Sequence, residues 1–531
     1  MKTRAHSEIE TSTRGVLPVV LAALALVVSA VPALNVALPD VARDTGASFT
    51  QVQWIVDAYA LVFAGLLLPA GALGDRYGRK PLLVGGLAAF GIAAICASFV
   101  SEPGALIGLR GVMGIGAAMV MPTTLSIITT TFSAGERGKA VGAWVGVAGA
   151  GAILGLLGSG LLLEFWSWPS VFLASGGIVL LIAVAAVRFV PNSRDDDAAP
   201  VDYRGGLLSV IGLAGIVYGA IEGPSRGWTA PITLLAFVIG LLGILLWIWA
   251  GLKSQEPMLD PRYFLRRDFA TGVGSIALQF FIFFGFIFVL IQYLQLVLGY
   301  SPLQAGLAML PMGMALGALS RRVPRLVEKV GRRRPSVAGF VSMAAGLAVL
   351  SQLGVGSSYW WVLAGIVPVG VGMALAAAPA TADIVASMPA DKQGVASAVN
   401  DAAREVGGTL GIAVLGSVLN AQYRAGIQDG VPSGAPSKVV AVAQDSLGAA
   451  LAVADRLGVN GAHLADFARD SFLDGLATAF TASAVLLGLA AVALLVAIPG
   501  RTRIPAPHDV GSPRNDQVPT GTEPNTEREL T

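Results

Sequence analysis

Charged side chains are scarce in this chain. Only 13% of its 531 residues are Asp, Glu, Lys or Arg, and 55% are hydrophobic, whereas a soluble domain carries roughly 25% charged residues. Cysteine occurs once, as Cys96 in an apolar run, which excludes an intrachain disulfide and a cysteine-based metal site. His6, His463 and His508 lie outside the apolar runs, which excludes a buried histidine relay. The chain has no G-x-x-x-x-G-K-[ST] loop, which excludes an ATPase of that type.

Apolar residues are instead gathered into fourteen long runs. A run of about 20 apolar residues can cross a bilayer as a helix, so the series predicts an all-α, polytopic integral membrane protein. The first run could be a signal peptide, but its length and the spans that follow favour an uncleaved first span. The expected spans are residues 16–38, 52–73, 82–100, 105–127, 140–163, 168–190, 205–221, 232–252, 269–298, 303–320, 335–353, 359–380, 396–421 and 472–498.

Basic residues concentrate in every second loop. One such loop holds Arg76, Arg79 and Lys80, another is the run from Arg321 to Arg334, and the short loops between them hold few bases. Because short loops rich in Lys and Arg stay in the cytoplasm, we expect a multi-pass protein of the plasma (inner) membrane with both termini inside. Residues 1–15 and a disordered tail, 499–531, are then cytoplasmic. The segment 422–470, alanine-rich and mixed in charge, is expected to form a long external loop, with an amphipathic surface helix as one form that it could take.

The loop from Gly71 to Lys80 packs one acid, three bases and three glycines into ten residues. We expect one helix to end there, the backbone to turn at glycine, which tolerates positive φ, and the next helix to begin at Pro81. Asp75 can pair with a base or meet the positive N-terminus of another helix. The hypothesis is a conformational switch loop, and the alternative is that its bases only orient the helices. The residues proposed for the switch are Gly71, Asp75, Arg76, Gly78, Arg79 and Lys80.

This loop has an echo 253 residues later, where Asp75, Arg76 and Gly78 align with Glu328, Lys329 and Gly331. Two further matches lie at nearly the same offset, Gly138 with Gly394 at 256 and Pro122 with Pro379 at 257. Parallel half-repeats are one way in which secondary transporters are built, although two basic turns can also look alike by chance. We therefore predict six-helix bundles at 16–190 and 269–498, joined by a segment, 191–268, with two extra spans. Glu328 and Lys329 join the proposed switch.

Several motifs together resemble those of the major facilitator superfamily, in its fourteen-span drug:proton antiporter group. They include Asn35-Val-Ala-Leu-Pro39, Gln53-Trp-Ile-Val-Asp-Ala-Tyr59, the Gly-Asp-Arg-x-Gly-Arg-Lys loop, and Arg110-Gly-Val-Met-Gly-Ile-Gly116 with Pro122. The late segment Gly394-Val-Ala-Ser-Ala-Val-Asn400 with Arg404 also matches. The resemblance covers residues 16 to 498, and the chain is similar to antibiotic exporters of actinomycetes. It implies the fold of two six-helix bundles plus two helices, a proton gradient as energy source and no cofactor.

Two departures from the family pattern affect proton coupling rather than the fold. The span-five signature has prolines beside its glycines, and this chain has Ala152 and Leu156 there. Many relatives carry an aspartate five residues before the Asn of the first motif, where this chain has Ala30.

Ionisable residues inside spans are functional candidates, since a charge in the bilayer core costs several kcal/mol unless it is paired or hydrated. Arg110 lies about 10 Å into its span at 1.5 Å per residue and is expected to tune a nearby carboxylate, or else to bond backbone carbonyls as a packing residue. Asp57 could receive protons from outside or could be merely interfacial. Glu222, before Gly-Pro, is expected to be a solvated helix cap.

Asp401, Arg404 and Glu405 share one helical face, because residues three and four apart are neighbours on a helix. Two carboxylates on one buried face can force one of them to hold its proton more tightly, which suits proton coupling. The alternative is a latch in which this face meets the Asp75 loop as an ion-pair lock.

Two further groups complete the predicted site. Gly149, Gly151 and Gly155 allow close helix packing. In the ninth span, an aromatic stripe with a few amides suits a planar lipophilic substrate, although aromatic residues also face lipid. The proposed substrate-cavity residues are Gln279, Phe280, Phe284, Gln292 and Tyr293.

The sequence thus predicts a proton-coupled antiporter that exports a hydrophobic or aromatic drug or antibiotic by alternating access. Its partners are the small substrate, protons and the lipid bilayer, with no nucleic acid, and it is expected to be a monomer. The first alternative is a facilitator or importer of a small nutrient with the same fold. The second is a multi-span membrane enzyme, but no loop carries a Ser/His/Asp, Cys/His or metal-ligand grouping.

Overall fold

A computed structural model describes residues 2–194, 202–255, 257–389, 393–430, 437–457 and 461–498, and within them it forms α-helices and no strand. The all-α prediction is therefore confirmed. The helices are α1 Lys2–Thr45, α2 Phe49–Tyr77, α3 Arg79–Ala97, α4 Pro103–Thr131, α5 Ala134–Phe165, α6 Pro169–Phe189, α7 Tyr203–Arg226, α8 Pro231–Lys253, α9 Arg267–Gln292, α10 Pro302–Ala308, α11 Leu310–Ser320, α12 Val323–Val330, α13 Arg333–Leu350, α14 Tyr359–Ala386, α15 Gln393–Gly430, α16 Ser437–Asp445, α17 Leu447–Leu457 and α18 Ala462–Ala497.

The number of helices able to cross a bilayer is slightly below the predicted fourteen. Twelve of the described helices are long and apolar enough, counting α10 with α11 as one, and α5 makes thirteen if its bent halves are one span. The remaining expected span, 335–353, coincides with α13. That helix has 18 residues and starts with Arg333 and Arg334, so its apolar stretch is short.

The expected external loop at 422–470 is in part helical. The helix α15 continues to Gly430, α16 and α17 follow, and α18 begins at Ala462. Much of the described part of this segment is helix, because both flanking helices continue beyond their apolar stretches and α16 and α17 lie between them. The predicted disordered tail, 499–531, lies outside the described residues.

Local sequence explains where several helices begin. Ser48 and Gln51 form a capping box that starts α2, and Ser301 and Gln304 form another that starts α10. Such reciprocal bonds satisfy free N–H groups at a helix start. The carboxylate of Glu102 accepts from two backbone N–H groups at the start of α4, which holds the pKa of Glu102 below its usual range.

The two halves of the chain pack by the same scheme. In the first half α1 packs on α5, α2 on α4, and α3 on both α4 and α6; in the second, α9 packs on α15, α11 on α14, and α13 on both α14 and α18. Close contacts repeat as well: Gly86 and Gly116 face each other across α3 and α4, as Gly339 and Gly372 do across α13 and α14. These glycines differ by 253 and 256 positions, the offsets of the sequence repeat.

The contacts between the two bundles are reciprocal. The helix α2 of the first bundle packs on α15 of the second, and α5 of the first packs on α10 of the second. Under the repeat, α2 corresponds to α10–α11 and α5 to α15, so each contact maps onto the other. This reciprocity is what a twofold relation between two halves produces. The interface between the bundles is called the seam below.

The seam is closed at one end of the molecule. We call the end where α2 begins the Phe49 end and the opposite end, where α2 meets α3, the Gly78 end. Near the Phe49 end, Gln53 Nε2 donates to the carbonyls of Ile412 (3.2 Å) and Ala413 (3.3 Å). Three more hydrogen bonds cross between the halves there or join them through α7: Gln295 to the Val36 carbonyl, Ser301 to Glu164, and Ser417 to the Ala220 carbonyl.

At the Gly78 end the same helices are apart. On α5, a Cβ placed at Gly138, Gly142 or Gly146 would meet nothing within 4 Å, and the same holds for Gly317 on α11. The ion pairs of Arg79 and Arg332 at this end each lie within one bundle. The space between the bundles therefore opens towards the Gly78 end.

Candidate functional site

Arg110 ties two helices of the first bundle together at the centre of the molecule. It is 1% exposed, its Nε donates to the Ile55 carbonyl at 2.9 Å, and its guanidinium lies 4.4 Å from the ring centre of Tyr59. The Tyr59 hydroxyl in turn donates to the Val27 carbonyl. The Arg110 Nη2 atom has no partner among the described protein groups, so this cation retains a free donor. Arg110 thus makes the bond to a backbone carbonyl that a packing role requires, and its Nη2 atom can still donate a further hydrogen bond.

Asp57 is fully buried, and neither carboxylate oxygen has a hydrogen-bond partner among the described residues. It lies one helical turn from Gln53, whose side chain bonds α15, and residues four apart share a helix face. A buried charge without a partner costs far more than a neutral polar group. The closed site therefore favours the neutral acid, and the carboxylate becomes stable only when water can reach it.

Asp401, Arg404 and Glu405 lie on α15 as one group. An Asp401 oxygen is 3.6 Å from Arg404 Nη1, and the Arg404 guanidinium lies 4.5 Å from the ring centre of Phe280 on α9. Glu405 is partly exposed. The Tyr59 hydroxyl is within electrostatic range of both Arg110 and Glu405, so this residue of the first bundle lies near the acids of α15.

The switch loop is held by its own ion pair. Asp75 accepts from Arg79 Nη2 at 2.7 Å and from Nε at 3.0 Å, and the backbone turns at Gly78 with φ +113°. The Arg79 N–H also bonds the Ser193 carbonyl beyond α6. Since Asp75 pairs with Arg79 and Asp401 with Arg404, the ion-pair latch between α15 and the Asp75 loop is not formed between these residues here.

The other switch residues have few contacts. Arg76 is exposed and Lys80 partly exposed. A Cβ at Gly71 would lie 3.5 Å from Pro122 on α4, so Gly71 packs α2 against that helix.

The echo of the switch loop differs in its pairing. The backbone again turns at a glycine, Gly331, with φ +78°, and Glu328 and Lys329 are exposed. However, Arg332, the counterpart of Arg79, does not bond Glu328. It donates to Asp383 on α14 and, at 2.6 Å, to Asp268 at the start of α9. The sequence repeat placed the turn but missed these two carboxylates, which lie 51 and 64 positions from Arg332.

Two of the three proposed packing glycines bring α5 against α1. A Cβ at Gly151 would lie 2.9 Å from Val28, and Gly155 is in contact with the Ser29 carbonyl. Their counterparts Gly407 and Gly411 approach α9 in the same way. The surroundings of Gly149 lie outside the described residues. Gly160, a further glycine of this span that the proposed packing group did not include, faces the other bundle: a Cβ there would lie 2.9 Å from the Leu303 Cα across the seam.

The proposed substrate-cavity residues fall into two places along α9. Gln279 is buried and bonds Ser275 one turn away, while its oxygen has no partner among the described groups. Phe280 and Phe284 lie beside it, with Phe280 under Arg404 and Phe284 against Gly408.

Gln292 and Tyr293 lie at the Phe49 end instead. Tyr293 donates to the Gly354 carbonyl at 2.9 Å, and Gln292 donates to its own helix at Phe288. The five residues therefore do not form one cluster.

Glu222 is not the solvated cap that the sequence suggested. It is 9% exposed and accepts a hydrogen bond from Trp54 Nε1 of α2 at 3.0 Å and another from Arg226 at 2.6 Å. The helix continues to Arg226 past Pro224, so the Gly-Pro pair did not end it. Trp54 lies 168 positions from Glu222 in the sequence, so no local sequence pattern predicts this hydrogen bond.

Comparisons with known proteins agree with this architecture. The family model described as Major Facilitator Superfamily matches residues 20–412. The chain is 35% identical over 490 residues to the multidrug efflux pump LfrA of Mycolicibacterium smegmatis, covering 92% of this chain and 97% of that protein. It is 34% identical over 408 residues to the puromycin resistance protein pur8 of Streptomyces alboniger, covering 76% and 81%.

Among solved structures, the fold is similar to that of a bacterial homologue of the human lysosomal transporter Spinster. The TM-score is 0.63 at 17% identity, covering 91% of this chain and 96% of that one. At this identity the likeness concerns the fold alone.

Proposed function

The chain belongs to the Major Facilitator Superfamily, and from that premise we propose that it exports hydrophobic drugs or antibiotics in exchange for protons. It is a transporter rather than an enzyme and a multi-pass membrane protein. We place the Gly78 end in the cytoplasm and the Phe49 end outside, because the basic loops lie at the Gly78 end. The similarity to a multidrug efflux pump over 92% of the chain is the observation that carries drug export.

Alternating access is supported by the seam. Two bundles that repeat each other meet in reciprocal pairs, and hydrogen bonds join them at the Phe49 end. Rocking the bundles about the centre would part that end and close the other. A substrate admitted from the cytoplasmic side between Tyr59, Arg110 and Glu405 would then leave outwards.

Proton coupling is proposed to use the acids on both sides of the central space. Asp57 lies beside the closed part of the seam, where both carboxylate oxygens are buried and have no partner among the described residues. Separation of α2 from α15 would admit water and let the carboxyl exchange its proton with the outside. Asp401 and Glu405, about 12 to 18 Å into α15 at 1.5 Å per residue, would exchange protons with the cytoplasmic side.

The proton gradient can supply enough energy for this exchange. One charge moved through 100 mV yields about 2.3 kcal/mol, and each pH unit adds about 1.4 kcal/mol per proton. No resident cofactor is proposed. The aromatic group around Phe280 and Phe284 and the acids of α15 suit lipophilic, aromatic and in particular cationic compounds.

The test is uptake of a panel of aromatic antibiotics, puromycin included, into energised everted membrane vesicles. We expect accumulation against a gradient that a protonophore abolishes. Equilibration without accumulation would indicate a facilitator and refute the exporter. Accumulation that survives the protonophore would refute proton coupling alone.

A further inference from the structure

The first of the two extra helices, α7, lies along α2 for its whole length. At the Gly78 end the Tyr77 and Tyr203 hydroxyls are 3.3 Å apart. Midway, a Cβ at Gly65 would lie 2.8 Å from Val210. At the Phe49 end Trp54 packs on Tyr218, with ring centres 5.8 Å apart.

The Trp54 bond to Glu222 adds a polar contact at this last level. A hydrogen bond to a carboxylate in a buried site is stronger than one between neutral groups. The contact therefore fixes the end of α7 on the first bundle, next to Gln53 and one turn from Asp57.

A hydrogen bond and an apolar cluster join α7 to the second bundle in the Phe49 half. Ser417 Oγ on α15 donates to the Ala220 carbonyl at 2.7 Å. Around it, a separate apolar cluster joins α2, α7 and α15, and its buried members are Leu61, Val217, Ala220, Ile221 and Ala413. Partly buried Leu410 and Val414 complete the α15 side. These α15 residues all lie at positions 410–417 of a helix that runs from 393 to 430.

We propose that α7 is a moving part of the outer gate, carried by the first bundle, and that α15 must leave the groove between α2 and α7 whenever the Phe49 end opens. In this arrangement Ser417 makes a gate contact that breaks in each cycle. Glu222 is a positioning residue that keeps α7 on α2 through Trp54. The proposal rests on the proposed alternating access and adds a second closing surface to it.

Two cysteine pairs separate the moving contact from the fixed one, in a Cys96→Ala background that removes the one native thiol. Ala220→Cys with Ser417→Cys bridges α7 to α15. Gly65→Cys with Val210→Cys bridges α7 to α2, and the shorter cysteine in place of valine relieves the contact at Gly65. Each pair is cross-linked with a short thiol-specific bifunctional reagent.

With a bis-methanethiosulfonate as the reagent, which forms reducible disulfides, we expect the Ala220–Ser417 cross-link to abolish drug accumulation until it is reduced, and the Gly65–Val210 cross-link to leave accumulation within about twofold. Unimpaired transport with the first cross-link, or its loss with the second, would overturn the proposal.

A readout independent of any drug uses Ala413→Cys, which is buried in the α7 cluster. A membrane-impermeant maleimide added from outside should label it only when the gate opens. Ser417→Ala and Glu222→Gln should each increase the labelling rate several-fold. Ser483→Ala, a buried serine that bonds only its own helix, should leave it unchanged. Equal rates in all four would refute the gate role even if no drug were transported.

Discussion

At the scale of single residues, Asp57 is the buried acid whose environment depends most directly on the seam. Its carboxyl has no partner, and the neighbouring Gln53 bonds α15. The same residue can thus be dry in the closed seam and hydrated in the open one. Proton exchange would then follow from the movement of α15, without any further group.

The substitution Asp57→Asn fits the closed site and removes the proton. One proton coupled to one pH unit supports about tenfold accumulation, and we expect the variant to lose it while exchange of labelled for unlabelled substrate continues. In everted vesicles, an uptake assay measures accumulation and an exchange assay measures the swap of labelled for unlabelled substrate. Asp466→Asn, an acid whose side chain is 74% exposed, serves as the control. Undiminished accumulation in Asp57→Asn would remove this acid from the mechanism.

Arg332 offers a second test, because it joins three helices at the Gly78 end of one bundle. Arg332→Lys keeps the charge but cannot bond Asp268 and Asp383 with separate nitrogens of a planar fork. We expect about 1–3 kcal/mol lower stability of the second bundle, since both carboxylates lose a fixed partner. Thermal unfolding in detergent checks this. Arg321→Lys, an exposed position, should change nothing, and an unaltered melting point in both would show that the triad contributes no stability.

These residues show what sequence can and cannot reveal about the site. Asp75 and Arg79 lie four positions apart on either side of the turn at Gly78, so their pairing is local in the sequence. Arg332 has the same local spacing to Glu328 yet bonds carboxylates from α9 and α14. The choice between partners depends on which helix ends lie together, and no local pattern encodes that.

At the scale of helices, glycines determine which pairs approach closely and therefore what each contact does. The spacing of Gly151 and Gly155 indicated packing, but not with which helix. In the structure they face α1 inside a bundle, whereas Gly160 on the same helix faces α10 across the seam. One helix thus contributes both to the stability of a bundle and to the gate.

Valine substitutions should separate these two roles. Gly155→Val introduces a clash inside the bundle, and overpacking of this kind costs about 1–3 kcal/mol, so we expect lower expression and thermal stability. Gly160→Val should leave the melting point nearly unchanged but weaken the closed seam, raising maleimide labelling of Ala413→Cys from outside.

Gly158, where a Cβ would meet nothing within 4 Å, provides the matched control for both variants. If Gly160→Val unfolded the protein as Gly155→Val does, the seam would be part of the folding core rather than a gate.

At the scale of the whole molecule, the fold was predictable because it rests on patterns that a single chain displays. Apolar run length, alternating basic loops and an offset near 253 residues together define two helical bundles and two extra helices. The external segment was less predictable, because the ends of α15 and α18 continue as helix beyond their apolar stretches. The seam itself could not be predicted, since its contacts join residues such as Gln53 and Ile412, 359 positions apart.

The closed seam also predicts the contacts of the state in which the other end is closed. Across α5 and α10–α11, Gly160 meets Leu303, Leu156 meets Gly306, and Ile153 meets Gly313. Residue numbers thus decrease along α5 as they increase along α10–α11, as in any antiparallel pair of helices. Continuing that register towards the Gly78 end brings Gly146 opposite Gly317. Both now have nothing within 4 Å of a Cβ.

We therefore expect Gly146→Cys and Gly317→Cys, in the Cys96→Ala background, to form a disulfide only after the bundles rock. Cα atoms must come within about 7 Å for this bond. Bonding should be slow in resting membranes and faster under conditions that hold the Phe49 end open, and it should stop transport until it is reduced. The pair Gly138→Cys and Gly317→Cys, two helical turns (about 12 Å) out of register, should remain unbonded. Equal oxidation of both pairs would mean that these helices meet by random motion, and the rocking of two rigid bundles would have to be abandoned.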